Sequence, residues 1–388
     1  MRRPRLAVAA LAGAALMAFP AAAAARLATS PAATWQAKGS VSAIAVAGSV
    51  VYVGGDFSSV VAPRGSKLAP RPRHNLAAFD LVTHKLLGWR ASTDGPVNAL
   101  AIHGTRLYIG GSFTQVNGRK HLRLAAVSLG RGRLARWHAA ADAAVRALIA
   151  TRTRLYVGGE FHRLAGGDRH RLGAVSIGTG RLVRSWHPVV SGPVRALALS
   201  PRGSRLFVGG DFKTVSTVAS RHLAAVSTRS GAASRSWPLH PDYPVLALAV
   251  RRTSLYVGGG GNGGQLAAFA LPSARRRWTQ LTDGDVAAVT VFRSTVYAGG
   301  HFDNVCVGNK GSGNPLTCAD PLLRRKLFSA STLSGKVSSW APDANSPLGV
   351  RALHAGRRSV EAGGYFTAFR PGMTGPLISQ KGFAEFAR

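Results

Sequence analysis

Residues 41–57 read VSAIAVAGSVVYVGGDF, two apolar stretches divided by Gly48 and Ser49 and closed by a pair of glycines. In the first stretch valine is followed two places on by alanine, and neighbouring positions are often Leu or Ile. Both faces of such a segment are apolar, the pattern of a strand covered on both sides. The second stretch is another apolar run that predicts a neighbouring strand. A variable polar loop follows the glycines, then a third apolar strand such as LAAFDL, LAAVSL or LAAVST, a turn, and a fourth strand ending on tryptophan.

This pattern repeats along the whole chain. The Val/Ala signature recurs at Val41/Ala43, Val97/Ala99, Val145/Ala147, Val194/Ala196, Val245/Ala247, Val286/Ala288 and Val350/Ala352, and the first glycines of the pairs are Gly54, Gly110, Gly158, Gly209, Gly258, Gly299 and Gly363. Their mean spacing is about 52 residues, in the range of propeller blades. The seven tryptophans, from Trp35 to Trp340, each precede a glycine pair by 19 to 23 residues. A lone four-stranded sheet cannot bury both faces, whereas seven arranged radially can. The expected fold is therefore all-β, a seven-bladed β-propeller of four-stranded antiparallel blades over residues 26–388. Trp35 has no preceding repeat and the last repeat has no tryptophan, so TWQA (34–37) is expected to pair with GFAEF and close the ring. The glycines weaken their strand by roughly 0.5–1 kcal/mol each. They are expected to make room for an indole lying flat on the backbone.

Residues 1–25 begin MRRPR, continue through the apolar run 6–19 and end in small residues, the order of a secretory signal peptide. No later apolar run is long enough for a membrane helix. The chain is expected to be exported, in the extracellular space or cell envelope, and monomeric. Its formal net charge is +35, or +32 once Arg2, Arg3 and Arg5 leave with the leader, which favours anionic partners. The arginines are scattered evenly, as a coding bias also produces, and no RRM, zinc-finger or helix-turn-helix pattern accompanies them. The two cysteines, Cys306 and Cys318, are spaced as a disulfide closing one loop.

The unit LYVGGDF, polar loop, LAAFD, turn, tryptophan resembles the delta-60 repeat of secreted bacterial β-propellers over essentially the whole mature chain. The resemblance implies the fold and little about activity, because that family has no common catalytic set. A looser similarity links IGTGRLVRSW (177–186) and LSGKVSSW (333–340) to the tryptophan-docking repeat of quinoprotein dehydrogenases. It implies a rival reading as an oxidoreductase using pyrroloquinoline quinone. Such enzymes need calcium-binding carboxylates, and this chain has only three glutamates, Glu160, Glu361 and Glu385.

Three sets of residues are candidates for chemistry. Asp94, Asp142, Asp242 and Asp283 stand five places after a tryptophan and Asp343 three, either as a calcium ring or as turn residues bonding nearby backbone. Arg146, Arg195 and Arg351 follow the first valine of an inner strand and could fork onto an anion near a channel mouth, or pair with an aspartate such as Asp142. The loops after the glycines carry Arg73 and His74, Lys120 and His121, Arg169 and His170, and Arg221 and His222, the best surface for an acidic envelope polysaccharide. GGDF lacks the glutamate of the nucleotide-cyclase motif, and no GxSxG, HExxH, P-loop or sialidase Asp-box occurs. The expected function is a non-enzymatic binding scaffold without a cofactor.

Overall fold

The computed structural model describes residues 27–261, 263–307 and 320–388, and among them it contains strands and turns but no helix. The chain forms seven successive antiparallel units, each with an inner, a second and a third strand. Their inner strands are Gln36–Ala47, Val97–His103, Val145–Ala150, Val194–Leu199, Val245–Arg251, Val286–Phe292 and Val350–Ala355. Unit 1 continues with Val50–Val61 and Leu76–Asp80, and unit 7 with Ser359–Gly364 and Phe383–Ala387. Neighbouring inner strands pack in sequence, and that of unit 7 packs on that of unit 1.

The core lies between units. Ala99, Tyr108, Leu124 and Trp137 of unit 2 are buried with Val145, Leu155 and Val157 of unit 3, and Phe383 of unit 7 is buried with Val41, Val53 and Phe79 of unit 1. Two apolar faces per unit are thus satisfied by two neighbours.

The glycine pairs serve a purpose other than the one expected. A Cβ on Gly158 would stand 2.5 Å from Val194 Cγ1 of the next unit, one on Gly54 2.5 Å from Val97 Cγ1, and one on Gly363 2.6 Å from Val41 Cγ1. The first glycine therefore admits the leading valine of the neighbouring inner strand. A Cβ on the second glycine would strike the carbonyl preceding the inner strand of its own unit, Pro96 for Gly111 and Ala144 for Gly159. The indoles lie elsewhere, at the outer edge. Trp89 donates its indole N–H to Ser128 O (2.9 Å), Trp137 to Ser176 O (3.1 Å) and Trp186 to Ser227 O (2.9 Å), always in the following unit. In units 1 to 3 the tyrosine two residues before the glycine pair braces that indole edge-on, as Tyr108 does Trp137 at 5.2 Å, and donates to the same turn; Phe207 takes its place in unit 4.

The fourth strand is regular only in unit 5, at Arg276–Thr282. In units 1 to 4 and 6 it is a single bridge to the third strand, such as Val127↔Leu134. The reason lies just ahead of the third strand, where one residue adopts a left-handed conformation: Asn75 (φ 64), Arg123 (62), Arg171 (64), His222 (61) and Lys326 (67). That residue ends the strand, so the outer segment has little left to pair with. Unit 5 has a short post-glycine loop in which Gly263 (φ 118) precedes the strand without the tight φ of those five, and its third strand runs unbroken from Gly264 to Ala270. Elsewhere the outer chain bonds the post-glycine hairpin of the next unit, through bridges such as Thr93↔Val116 and Ala141↔Leu164.

At the chain's start, Ala28 N donates to Ala387 O and Ala32 N to Glu385 O, both at 2.8 Å, while Ala37 N donates to Lys381 O. Residues 28–32, just before TWQA, lie beside GFAEF; TWQA itself meets Gln380 and Lys381, with Gln36 Oε1 accepting from Lys381 N at 2.8 Å. Trp340 donates to Ala28 O at 3.0 Å, as its counterparts do to a following unit. In unit 7 the bracing tyrosine is replaced by Glu361, fully buried, with Glu385 directly opposite on the third strand. His354 Nδ1 and Ser359 Oγ lie 2.8 and 2.5 Å from the Glu361 carboxylate. His84 Nε2 lies 3.3 Å from Glu385. Cys306 is buried near the end of a short strand, and its expected partner Cys318 lies outside the described residues, as does the expected leader 1–25.

Candidate functional site

Every inner strand carries a bulge after its first valine: the register against the second strand shifts between Val145 and Ala147, and at the same place in the other six. The bulged residue has no cross-strand partner, which frees its side chain to turn toward the axis. These residues are Ser42, Asn98, Arg146, Arg195, Leu246, Ala287 and Arg351. Below them an axial cavity of about 220 Å³ draws residues from all seven inner strands, mainly alanines followed by Ile44, Leu100, Leu148, Leu197, Leu248, Val289 and Leu353, with Arg351 at its mouth. Arg195 and Arg351 are exposed. Arg146 is paired with Glu160, Nε to Oε1 at 2.9 Å, and not with Asp142. Sequence distance misled here: Glu160 follows the glycines on the adjacent strand, where the antiparallel register brings it beside residue 146.

Asp94, Asp142 and Asp283 are caps. Asp142 Oδ1 accepts from His162 N (2.9 Å) and Arg163 N (3.0 Å), Asp94 Oδ1 from Thr114 N and Gln115 N (both 2.8 Å), and Asp283 Oδ1 from Asp303 N and Asn304 N. Burial pushes the pKa of Asp94 up, but bonds from Thr114 and Gln115 outweigh it and hold the carboxyl below its ordinary value. Ser191 and Asn345 fill the equivalent place in units 4 and 7 and accept the same two bonds. The bonded backbone lies some twenty residues away, not in the aspartate's own turn. Asp343 falls outside the set and pairs with Arg325 at 3.0 Å. Among the described residues no group of three His, Cys, Asp or Glu side chains comes together that could hold a metal.

The basic residues of the post-glycine loops do not share one position. Arg73 and Arg169 are buried and staple the outer segment, Arg73 through Leu87 O (3.2 Å) and Arg169 through Val183 O (3.3 Å) and Arg184 O (3.1 Å). Burial, then the nearby like charges Arg90 and Arg71, lowers the proton affinity of Arg73. Arg324 does the same work in unit 6, bonding Ser338 O at 2.9 Å, and the sequence reading missed it because its loop differs in length. His121 and Ser220 occupy that structural position in units 2 and 4. His74, Lys120 and Arg221 are exposed, and His170 and His222 are half-buried, with His222 Nδ1 3.6 Å from Asp211.

One pocket gathers several of these groups. Lys120, His121 and His138 line a cavity of about 380 Å³ between units 2 and 3, closed by Ala139, Ala140 and Gly166. Burial first, and His138 second, lowers the proton affinity of His121. The site is cationic at one wall and open on the loop face.

No family model matches the chain, and no curated protein matches it. Among solved structures it is similar to the WD40 β-propeller domain of Doa1, at 10% identity, 92% of this chain, 97% of that one and a TM-score of 0.57. It is also similar to the computationally designed Ika8 protein, at 14% identity, 91% and 98% coverage and a TM-score of 0.51. Identity this low speaks for fold alone, and the fold is that of a β-propeller. The delta-60 resemblance rests on the repeat sequence.

Proposed function

We propose that this β-propeller is a seven-bladed, exported, monomeric and non-enzymatic scaffold that binds an acidic polysaccharide on its loop face. The pocket of Lys120, His121 and His138 carries this reading, because a carboxylate seated there pairs with Lys120 and offsets the burial, and secondly the His138 charge, that lower the His121 proton affinity. Arg195 and Arg351 add exposed forks at the channel mouth. The succession of seven inner strands, with the last against the first, and the bonds of residues 28–37 to the last third strand support a ring closed by the N-terminal segment. No helix among the described residues is long and apolar enough to cross a membrane.

Calorimetric titration with an oligogalacturonate tests the site. Lys120→Gln with His121→Gln should weaken binding about tenfold, as loss of one charge-assisted contact does. Arg195→Gln with Arg351→Gln should weaken it further. Unchanged affinity in both double variants overturns the assignment. Dye-linked alcohol oxidation by the protein with pyrroloquinoline quinone and calcium would replace the scaffold by the oxidoreductase.

A further inference from the structure

The two faces of the propeller differ sharply in charge. Of the 15 acidic residues, Asp80 alone lies on the turns joining inner to second and third to fourth segments. Glu361 and Glu385 are buried in unit 7, and the others cap or border the loops of the opposite face. Cations on the turn face come from every unit: Lys85, Arg131, Arg152, Arg202, Arg252 and Arg357 are examples, all exposed. A coding bias toward arginine explains the number of cations. It does not explain why, outside the core of unit 7, every acid but Asp80 lies on the other side.

The turn face is also continuous. Arg106 of unit 2 donates to Gly178 O of unit 3 (3.0 Å), and Arg154 of unit 3 to Thr228 O of unit 4 (2.7 Å), so neighbouring turns are clasped together. The turns are short all round, whereas the post-glycine loops vary widely. Val82 and Leu333, each 78% exposed, are the most exposed large apolar side chains among the described residues, and both stand on this face, in units 1 and 6. Beside Leu333 opens a cavity of about 670 Å³ with Phe292, Tyr297 and Trp340 in its wall and Arg293 and Lys336 among its lining residues.

We infer that the turn face docks on the surface of an anionic phospholipid bilayer. Cations distributed around a whole circle suit a planar field of phosphates better than a single polymer strand, which needs a groove. Exposed Val82 and Leu333 gain from entering the boundary of headgroups and acyl chains, and the cavity offers an apolar wall beside cations to one lipid. Docked this way, the propeller presents its loop face outward, and the inference stands whether or not a polysaccharide binds there.

Sedimentation of chain 27–388 with vesicles tests it, using phosphatidylcholine alone and phosphatidylcholine mixed with phosphatidylglycerol. Binding should appear only with the anionic lipid. Replacing Arg131, Arg152, Arg202 and Arg357 by Gln should weaken it at least about tenfold, against about twofold for Arg90, Lys120, Arg163 and Arg221, because both sets remove the same net charge but from opposite faces. Val82→Ser with Leu333→Ser should remove most of the binding that survives high salt. Matching melting temperatures establish that both sets remain folded. Equal losses from the two sets, or soluble polyglutamate binding as tightly as the vesicles, overturns the inference.

Discussion

Glu385 should make this protein less stable as pH rises through neutrality. Its carboxyl is held in the third strand of unit 7, 5% exposed. Burial first and the Glu361 carboxylate second push its pKa from 4.5 up to about 7, against a bond from Ser359 that lowers it. His84 faces it, and His354 and Ser359 lie beyond Glu361. Between those two values the folded chain keeps a proton that the unfolded chain has released, so the contribution of this group is full below about pH 4.5, declines as pH rises and is lost once pH passes about 7. At about 1.36 kcal/mol per unit, the decline amounts to roughly 3 kcal/mol. With an unfolding entropy of about 2.1 cal/mol/K per residue, it corresponds to a fall of about 4 °C in melting temperature. Glu385→Gln keeps the volume and removes the titration. Melting followed by calorimetry from pH 5 to 8 should show the parent declining relative to the variant by that amount, and Glu361→Gln should move the midpoint of the decline to lower pH. Parallel curves for parent and Glu385→Gln would refute the reasoning.

Deleting residues 26–38 should cost at least about 5 kcal/mol in denaturant unfolding, because it strips Trp35, the bonds to Ala387 and Glu385, and the acceptor of Trp340; a tail-like effect below about 0.5 kcal/mol would remove the closed ring. Gly158→Ala should destabilise by about 1–3 kcal/mol through Val194, and adding Val194→Ala should recover part of that loss, a coupling readable in a double-mutant cycle. Asp142→Ala should cost about 0.5–1.5 kcal/mol by removing the acceptor of the exposed amides of His162 and Arg163, while millimolar calcium leaves the parent's melting unchanged; a calcium-dependent rise would reinstate the carboxylate ring. Mass spectrometry of the exported protein should find Cys306 and Cys318 joined, and two free thiols would refute it.

Repetition made the architecture legible. Val/Ala pairs, double glycines and tryptophans in constant phase predict sheets that share their faces with neighbours, and the buried clusters between units have that composition. The roles inside the repeat were less legible, because each depends on which atoms the neighbouring unit brings near. The double glycine fits a valine from the next unit and a carbonyl from its own, two contacts separated in sequence by tens of residues. The fourth strand is present in the apolar pattern but shortened in space, since a left-handed residue ends its partner early.

The candidate site shows the same division. Sequence alone established that the chain is strongly cationic, that arginine and histidine recur after the glycines, and that aspartates recur after tryptophan. It could not separate Arg73 and Arg169, which are consumed as buried staples, from Lys120 and Arg221, which reach solvent. A guanidinium's role is set by the carbonyls within about 3 Å of it, and those belong to other strands. Nor does any linear pattern reveal that acids and surplus cations part company between two faces. Composition and period are properties of the chain read in order, and they determine strands, repeats and total charge. Burial, pairing and the sign of each face arise when antiparallel strands send alternate turns to opposite ends, and only the tertiary structure decides them.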